Sequence, residues 1–152
     1  MKKSFDLEIK GYLTAEQKGL LPPEAGVYFI YAGEPYDYEF RDPNGKRCKE
    51  KYCSRMQLLY IGSAQNIHDR FIKHEVVESA EKHLDCNQKL YISFTIVNNK
   101  NHERIEAAYI YRHQPPLNTL CKRSFNYEET TIESTGSIKE LDPIFTVNKI
   151  QD

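Results

Sequence analysis

The sequence predicts an α/β domain built on three short strands with helices after the second and third, and three stretches carry that prediction. Residues 27–32 and 58–61 are continuous apolar runs bounded by glycine or polar residues, the pattern of buried strands. Residues 90–97 alternate, with Leu90, Ile92, Phe94 and Ile96 set against Tyr91, Ser93, Thr95 and Val97. A chain of 152 residues, 28% charged and 39% hydrophobic, fits one soluble globular domain with a real core.

Residues 1–23 read as a lead-in segment. It ends at Leu21-Pro22-Pro23, where paired prolines exclude helix and deliver an extended chain. A short helix is expected around 14–18, with Thr14 as N-cap and Gln17 three residues on. Strand one runs from about Val27 to Ala32, with Val27, Phe29 and Tyr31 on one side and Tyr28 and Ile30 on the other. Residues 33–57 are polar, and Asp42-Pro43-Asn44-Gly45 is a strong turn signal. Strand two, about Leu58 to Ile61, ends at Gly62-Ser63, with Ser63 or Asn66 capping the next helix. That helix covers roughly 67–83 and takes part of its apolar stripe from Ile67, Phe71 and Val77. After strand three, Asn98 to Asn101 turns the chain into a second helix over about 102–113, stopped by Pro115-Pro116. Beyond Asn118, the acidic, Thr- and Ser-rich tail predicts one or two edge strands near 145–147, or partial disorder.

The formal net charge of −1 argues against bulk attraction to nucleic acid. The charge is unevenly spread, however. Residues 46–55 carry a net +4 (Lys46, Arg47, Lys49, Lys51 and Arg55 against Glu50), and residues 128–152 carry −4. Such a basic patch on a near-neutral body suits an enzyme that must touch DNA and release it. No apolar run is long enough to span a bilayer. The acids at Asp6 and Glu8 follow Met1-Lys2-Lys3 where a signal peptide needs an apolar stretch, so a cytoplasmic location is expected. Cys48, Cys53, Cys86 and Cys121 fit no common zinc spacing and read as free thiols.

Two tyrosine-bearing runs, Gly26-Val27-Tyr28 and Tyr60-Ile61-Gly62, are followed by Arg70, His74, Glu106 and Pro115-Pro116-Leu117-Asn118. Taken in order, this set resembles the GIY-YIG nuclease family over residues 24–119. The match includes the spacing of ten from Tyr60 to Arg70 and of twelve from Glu106 to Asn118. The resemblance implies a small central three-stranded, largely antiparallel sheet flanked by helices. Family members usually join the two tyrosine strands by a tight hairpin, so residues 33–57 would be an inserted hairpin or loop. Residues 120–152 would be an acidic extension within a single domain.

The same resemblance implies a divalent-metal-dependent endonuclease of restriction, repair or homing type. It would hydrolyse DNA phosphodiesters with one Mg²⁺ or Mn²⁺, and a homodimer or partner protein would supply sequence specificity. Glu106, mid-helix beside the small Ala107-Ala108, would be the metal ligand, a hard oxygen donor of the kind Mg²⁺ takes. Read alone, it is an ordinary solvated helix acid. Arg70 and His74, four apart, share a helix face; arginine clamps phosphate bidentately, and an imidazole accepts a proton near neutrality. Tyr28 and Tyr60 would lie on adjacent strands with converging rings. Either is the candidate base for water activation, given a nearby cation to lower its pKa. Asn118 would support the cleft and the bound nucleic acid. Lys46, Arg47, Lys49, Lys51 and Lys73, with Lys82 and Lys89, are candidate phosphate contacts. Ser63-Ala64 stands where the family commonly has a lysine. A non-catalytic nucleic-acid-binding module on the same scaffold is the alternative, disfavoured because every group with chemical potential is present.

Overall fold

A computed structural model describes residues 1–150 apart from His74, with the side chains of residues 36–38 and 50–54 outside the description. In chain order the elements are β1 (Lys3–Thr14), a 3-10 turn (Ala15–Leu20), β2 (Gly26–Arg41), β3 (Arg47–Ala64), α1 (Ile67–Ile72), α2 (Glu75–Glu81), β4 (Lys89–Ile96), α3 (His102–His113), β5 (Thr130–Gly136) and β6 (Ile144–Val147). The strands form one sheet in the order β3-β2-β4-β1-β5-β6. All pairings are antiparallel except β1 with β5.

The expectation of a small three-stranded sheet flanked by helices is therefore overturned. The molecule is mostly sheet, a mixed six-stranded one with few and short helices. The cause lies at the two ends of the chain. Residues 3–14 are not a lead-in but a strand, with Phe5, Leu7 and Ile9 alternating against Ser4, Asp6, Glu8 and Lys10. This strand covers the far edge of β4 and takes β5 as its own parallel neighbour. In the C-terminal part, Phe125, Ile132, Leu141, Phe145 and Val147 are buried in the same core as Val27 and Phe29. The strand expected near 145–147 is β6, at the sheet edge.

Two apolar layers cover the two faces. Val27, Phe29, Tyr31 and Ile61 pack with Ile105, Ala108 and Tyr109 of α3. Tyr28, Ile30, Ile92 and Phe94 pack with Ile67 and Phe71 of α1 and Val76, Val77 and Ala80 of α2. The split follows the period of two along β2. Phe71 is fully buried, which stabilises the docking of α1 by about 1.5–3 kcal/mol. Asn66 caps α1, its Oδ1 accepting from the Asp69 amide at 3.0 Å. The helix expected over 67–83 is two helices with Lys73 as the C-cap of the first. The helix expected over 102–113 is α3. The expected short helix around 14–18 is the 3-10 turn, where Gln17 Oε1 accepts from the Thr14 amide at 3.0 Å. Residues 34–41 and 47–54 pair only with each other beyond the reach of β4, forming a two-stranded ribbon. Its turn is held by Asp42 Oδ1, which accepts from the Asn44 and Lys46 amides at 2.9 and 2.8 Å. No helix among the described residues is long and apolar enough to cross a membrane.

His113 clasps the C-terminal part to α3. Its Nδ1 lies 2.9 Å from the Tyr109 carbonyl oxygen and its Nε2 accepts from the Asp142 amide at 2.9 Å. Only the neutral ring with the proton on Nδ1 satisfies both. Burial, ahead of the other influences, lowers its pKa below the ordinary 6.5. In the window between the lowered folded value and 6.5, the unfolded chain binds more protons than the folded one. Stability is therefore complete above about pH 6.5 and falls as the pH drops through the folded value. Urea midpoints measured from pH 7 to pH 5 should fall, and His113→Gln should flatten that dependence. An equally steep fall in the variant would assign it to other groups.

Candidate active site

Backbone register decides where the two tyrosines meet. Tyr28 lies opposite Gly62 and Ile30 opposite Tyr60, so Tyr28 and Tyr60 project from one face as diagonal neighbours. Their ring centroids are 6.3 Å apart. The edge of Phe71 packs on Tyr28 at 4.8 Å between centroids. The Tyr28 ring lies directly over Gly62, where a Cβ would stand 2.4 Å from its Cζ and hydroxyl oxygen. Gly26 has a similar constraint, since a Cβ there would come within 2.2 Å of the Thr95 carbonyl oxygen. Both glycines are thus steric requirements of close approach. Gly62→Ala should cost roughly 1–3 kcal/mol, because the buried Tyr28 ring has no room to move aside. An unchanged urea midpoint would show that the ring relocates freely.

Strand parity also brings in Ser63, expected from the sequence as a helix cap and as a departure from the family's lysine. Ser63 shares the parity of Ile61 and faces α3, and its Oγ donates to Glu106 Oε2 at 2.5 Å. Glu106 sits on α3 at the end of β3, half-buried. Desolvation raises its carboxyl above the usual range, the Ser63 hydroxyl opposes that shift, and the Glu103 charge adds to it. The period of two along β3 was the available signal for Ser63, but it points nowhere until α3 is docked.

Arg70 stands on α1 at the other side of β3. Its guanidinium lies close enough to the Tyr28 hydroxyl to favour charge there, and it pairs with Glu75 at 3.8 Å. Burial pushes the Tyr28 phenol up to about 12, the Tyr60 phenol adds to the rise, and Arg70 opposes it. The Tyr60 phenol is raised as well, first by burial and next by the Glu106 charge, with Arg70 again opposing. Neither phenol is a ready base until positive charge is added nearby.

Two hollows meet at Tyr60 and Leu117. The smaller, about 220 Å³, is lined by Arg70, Glu75 and His83 among others. The larger, about 790 Å³, runs along the start of α3 and holds Ser63, Glu106 and His102. The segment after α3 closes this groove by docking on the outer edge of β3. Leu117 donates its amide to the Leu59 carbonyl at 3.0 Å. The buried Asn118 carboxamide accepts from the Ile61 amide at 2.9 Å and donates to the Ile61 carbonyl at 2.8 Å. That side chain is committed to the main chain of β3, a supporting arrangement.

Tyr28, Tyr60, Arg70, Glu106 and Asn118 are thus gathered round the end of β3. His74 lies outside the described residues. Lys46, Arg47 and Lys49 stand at the far end of the ribbon, where the Lys51 and Cys53 side chains are outside the description. From Tyr60 to Lys49 is eleven residues, about 36 Å along the strand. Lys73, Lys82 and Lys89 are exposed. Searches against protein-family models, curated proteins and solved structures return no match.

Proposed function

We propose that the chain is a divalent-metal-dependent endonuclease that hydrolyses DNA phosphodiester bonds. One observation carries the reading. Two phenols, a guanidinium and a half-buried carboxylate from distant parts of the sequence gather where two open hollows meet at Tyr60. The donor set fits one hard cation. Glu106 is desolvated, it accepts a hydrogen bond from Ser63, and no Lys or Arg is among the described residues lining its cleft. A single carboxylate with waters is an ordinary Mg²⁺ environment. When bound, Mg²⁺ or Mn²⁺ supplies the charge that polarises the phosphate and offsets charge developing in the transition state.

The chain's own groups divide the remaining work. Arg70, placed beside the Tyr28 hydroxyl and paired with Glu75, offers its planar fork to the phosphate oxygens. Tyr60 is the better candidate than Tyr28 for accepting the proton of the attacking water. It lines both hollows and stands near Glu106, whereas Tyr28 is buried and lines neither. Tyr28 orients Arg70. The free thiols Cys48, Cys86 and Cys121 suit a reducing compartment, so a cytoplasmic location belongs to the same proposal. Purified protein should nick supercoiled plasmid with Mg²⁺ and stop when EDTA is added. Absence of nicking with both Mg²⁺ and Mn²⁺ would defeat the reading.

The ribbon extends the same proposal to a second contact. Its basic tip, about 36 Å along the strand from Tyr60, reaches phosphates roughly ten base pairs from the cleaved bond. Neutralising Lys46, Arg47, Lys49 and Lys51 should weaken binding uniformly across DNA sequences. Each true contact removed should lower the slope of log K against log salt by about 0.9. An unchanged slope would remove the ribbon from the DNA interface.

A further inference from the structure

The larger hollow contains more than the proposed reaction uses. Beyond Glu106 it continues along the first turn of α3 to His102, Glu103 and Gln65 on one side and Ser124, Asn126 and Tyr127 on the other. This part is rich in amides, hydroxyls and aromatic rings and lacks Lys or Arg among its described lining residues. A phosphate would meet two carboxylates there and no cation. A neutral, flat, polar-edged group is the better match.

His102 supplies a second and independent observation. It lines the cleft and is 5% exposed, and its Nδ1 has no hydrogen-bond partner among the described residues. A buried polar atom without a partner is uncommon and costly in a native fold, and a ligand is one of its ordinary explanations. His102 precedes Glu106 by four residues, one helical turn, so both stand on the same side of α3.

The opposite wall is held in place. Arg104 Nε donates to Thr130 Oγ1 at 2.8 Å, and its Nη2 donates to the carbonyls of Met1, Glu128 and Glu129 at 3.0–3.1 Å. The same guanidinium lies 5.9 Å from the centroid of the Tyr127 ring, which also packs against Phe125. Tyr127 is therefore a fixed aromatic wall on the cleft.

We propose that this part of the cleft is a nucleoside subsite that receives one unpaired base of the substrate strand beside the scissile phosphate. The base meets Tyr127, its polar edge meets Gln65 and Asn126, and His102 lines the same pocket. The Glu103 carboxylate accepts only, so bases with an exocyclic amino group are favoured over thymine. The substrate class becomes DNA with an unpaired nucleotide at the cleavage point, in preference to continuous duplex. This rests on the endonuclease reading, which puts a nucleic-acid strand at Glu106.

The test measures binding rather than cleavage. Full-length Glu106→Gln protein in EDTA is titrated with two fluorescent duplexes, one fully paired and one carrying a single-nucleotide bulge with 2-aminopurine at the bulge. The expected result is at least about tenfold tighter binding to the bulged duplex, with a change in 2-aminopurine emission, since base stacking on an aromatic side chain has that weight. Added in this background, Tyr127→Ala and His102→Ala should each remove most of the preference while leaving affinity for paired duplex unchanged. Tyr127→Phe, which keeps the ring, should retain it and guards against loss of fold. Cytosine at the bulge should bind better than thymine. Equal affinity for the two duplexes, or a preference that survives both alanine variants, overturns the subsite and leaves the endonuclease reading standing. Failure to bind either duplex overturns the endonuclease reading and the subsite with it.

Discussion

Glu106→Gln should abolish metal-dependent cleavage while leaving the fold in place. The substitution keeps an oxygen that can accept from the Ser63 hydroxyl, so the contact made at 2.5 Å persists. It removes the only anionic oxygen that this reading assigns to the metal. Losing several kcal/mol of charge stabilisation corresponds to a rate drop of roughly a hundredfold or more. Stability should shift by less than about 1 kcal/mol, because a desolvated charge disappears with the same step. The wild-type protein should show a related pH effect. Burial raises the Glu106 carboxyl, so its charged form is lost at a higher pH than that of an ordinary glutamate. The Mg²⁺ concentration needed for half-maximal cleavage should climb on the acid side before an exposed carboxylate would titrate. Nicking by Glu106→Gln at the wild-type rate would end the ligand assignment.

Arg70→Lys should lower the cleavage rate by about tenfold or more, and Arg70→Ala by about a hundredfold to a thousandfold. Arginine here lies beside the Tyr28 hydroxyl, pairs with the Glu75 carboxylate at 3.8 Å, and still reaches the smaller hollow. A lysine ammonium keeps the charge but lacks the planar fork needed to hold Tyr28 and a phosphate together. The lysine variant should lose mostly kcat, because the charge that attracts DNA remains. Equal turnover of Arg70→Lys and wild type would reduce Arg70 to a general electrostatic contact.

Much of the core could be read from residue patterns because its signals are local. The alternation in Leu90–Ile96 and the bounded run His102–His113 became β4 and α3. The glycines of the two tyrosine runs were visible, but the reason for Gly62 is the Tyr28 ring above it, a contact across strands. β1 was missed despite its alternation, because both its partners, β4 and β5, lie far downstream in the chain. β5 was harder still. Its buried Thr130 and Ser134 look like loop residues until Arg104 meets the first hydroxyl at 2.8 Å and the Tyr109 hydroxyl lies 2.5 Å from the second. Buried polar groups satisfied by distant partners leave no periodic trace. The candidate site followed the same division. Tyr28, Tyr60, Arg70 and Glu106 were singled out through the family resemblance, while Ser63, His102 and Tyr127 needed the docked α3.

The place of β1 between β4 and β5 also sets the order of assembly. A chain growing from its N-terminus makes residues 3–14 first, yet they cannot gain their parallel neighbour until residues 130–136 exist. For most of synthesis β1 has an unpaired edge, the kind of surface that invites pairing with other chains. Closing so wide a separation makes for high contact order and slow folding. The hairpin and helices around β3 rely on nearer contacts, so the groove takes shape before the sheet is complete. Chains interrupted before residue 130 should accordingly collect as aggregates joined along β1, with the elements around β3 already folded.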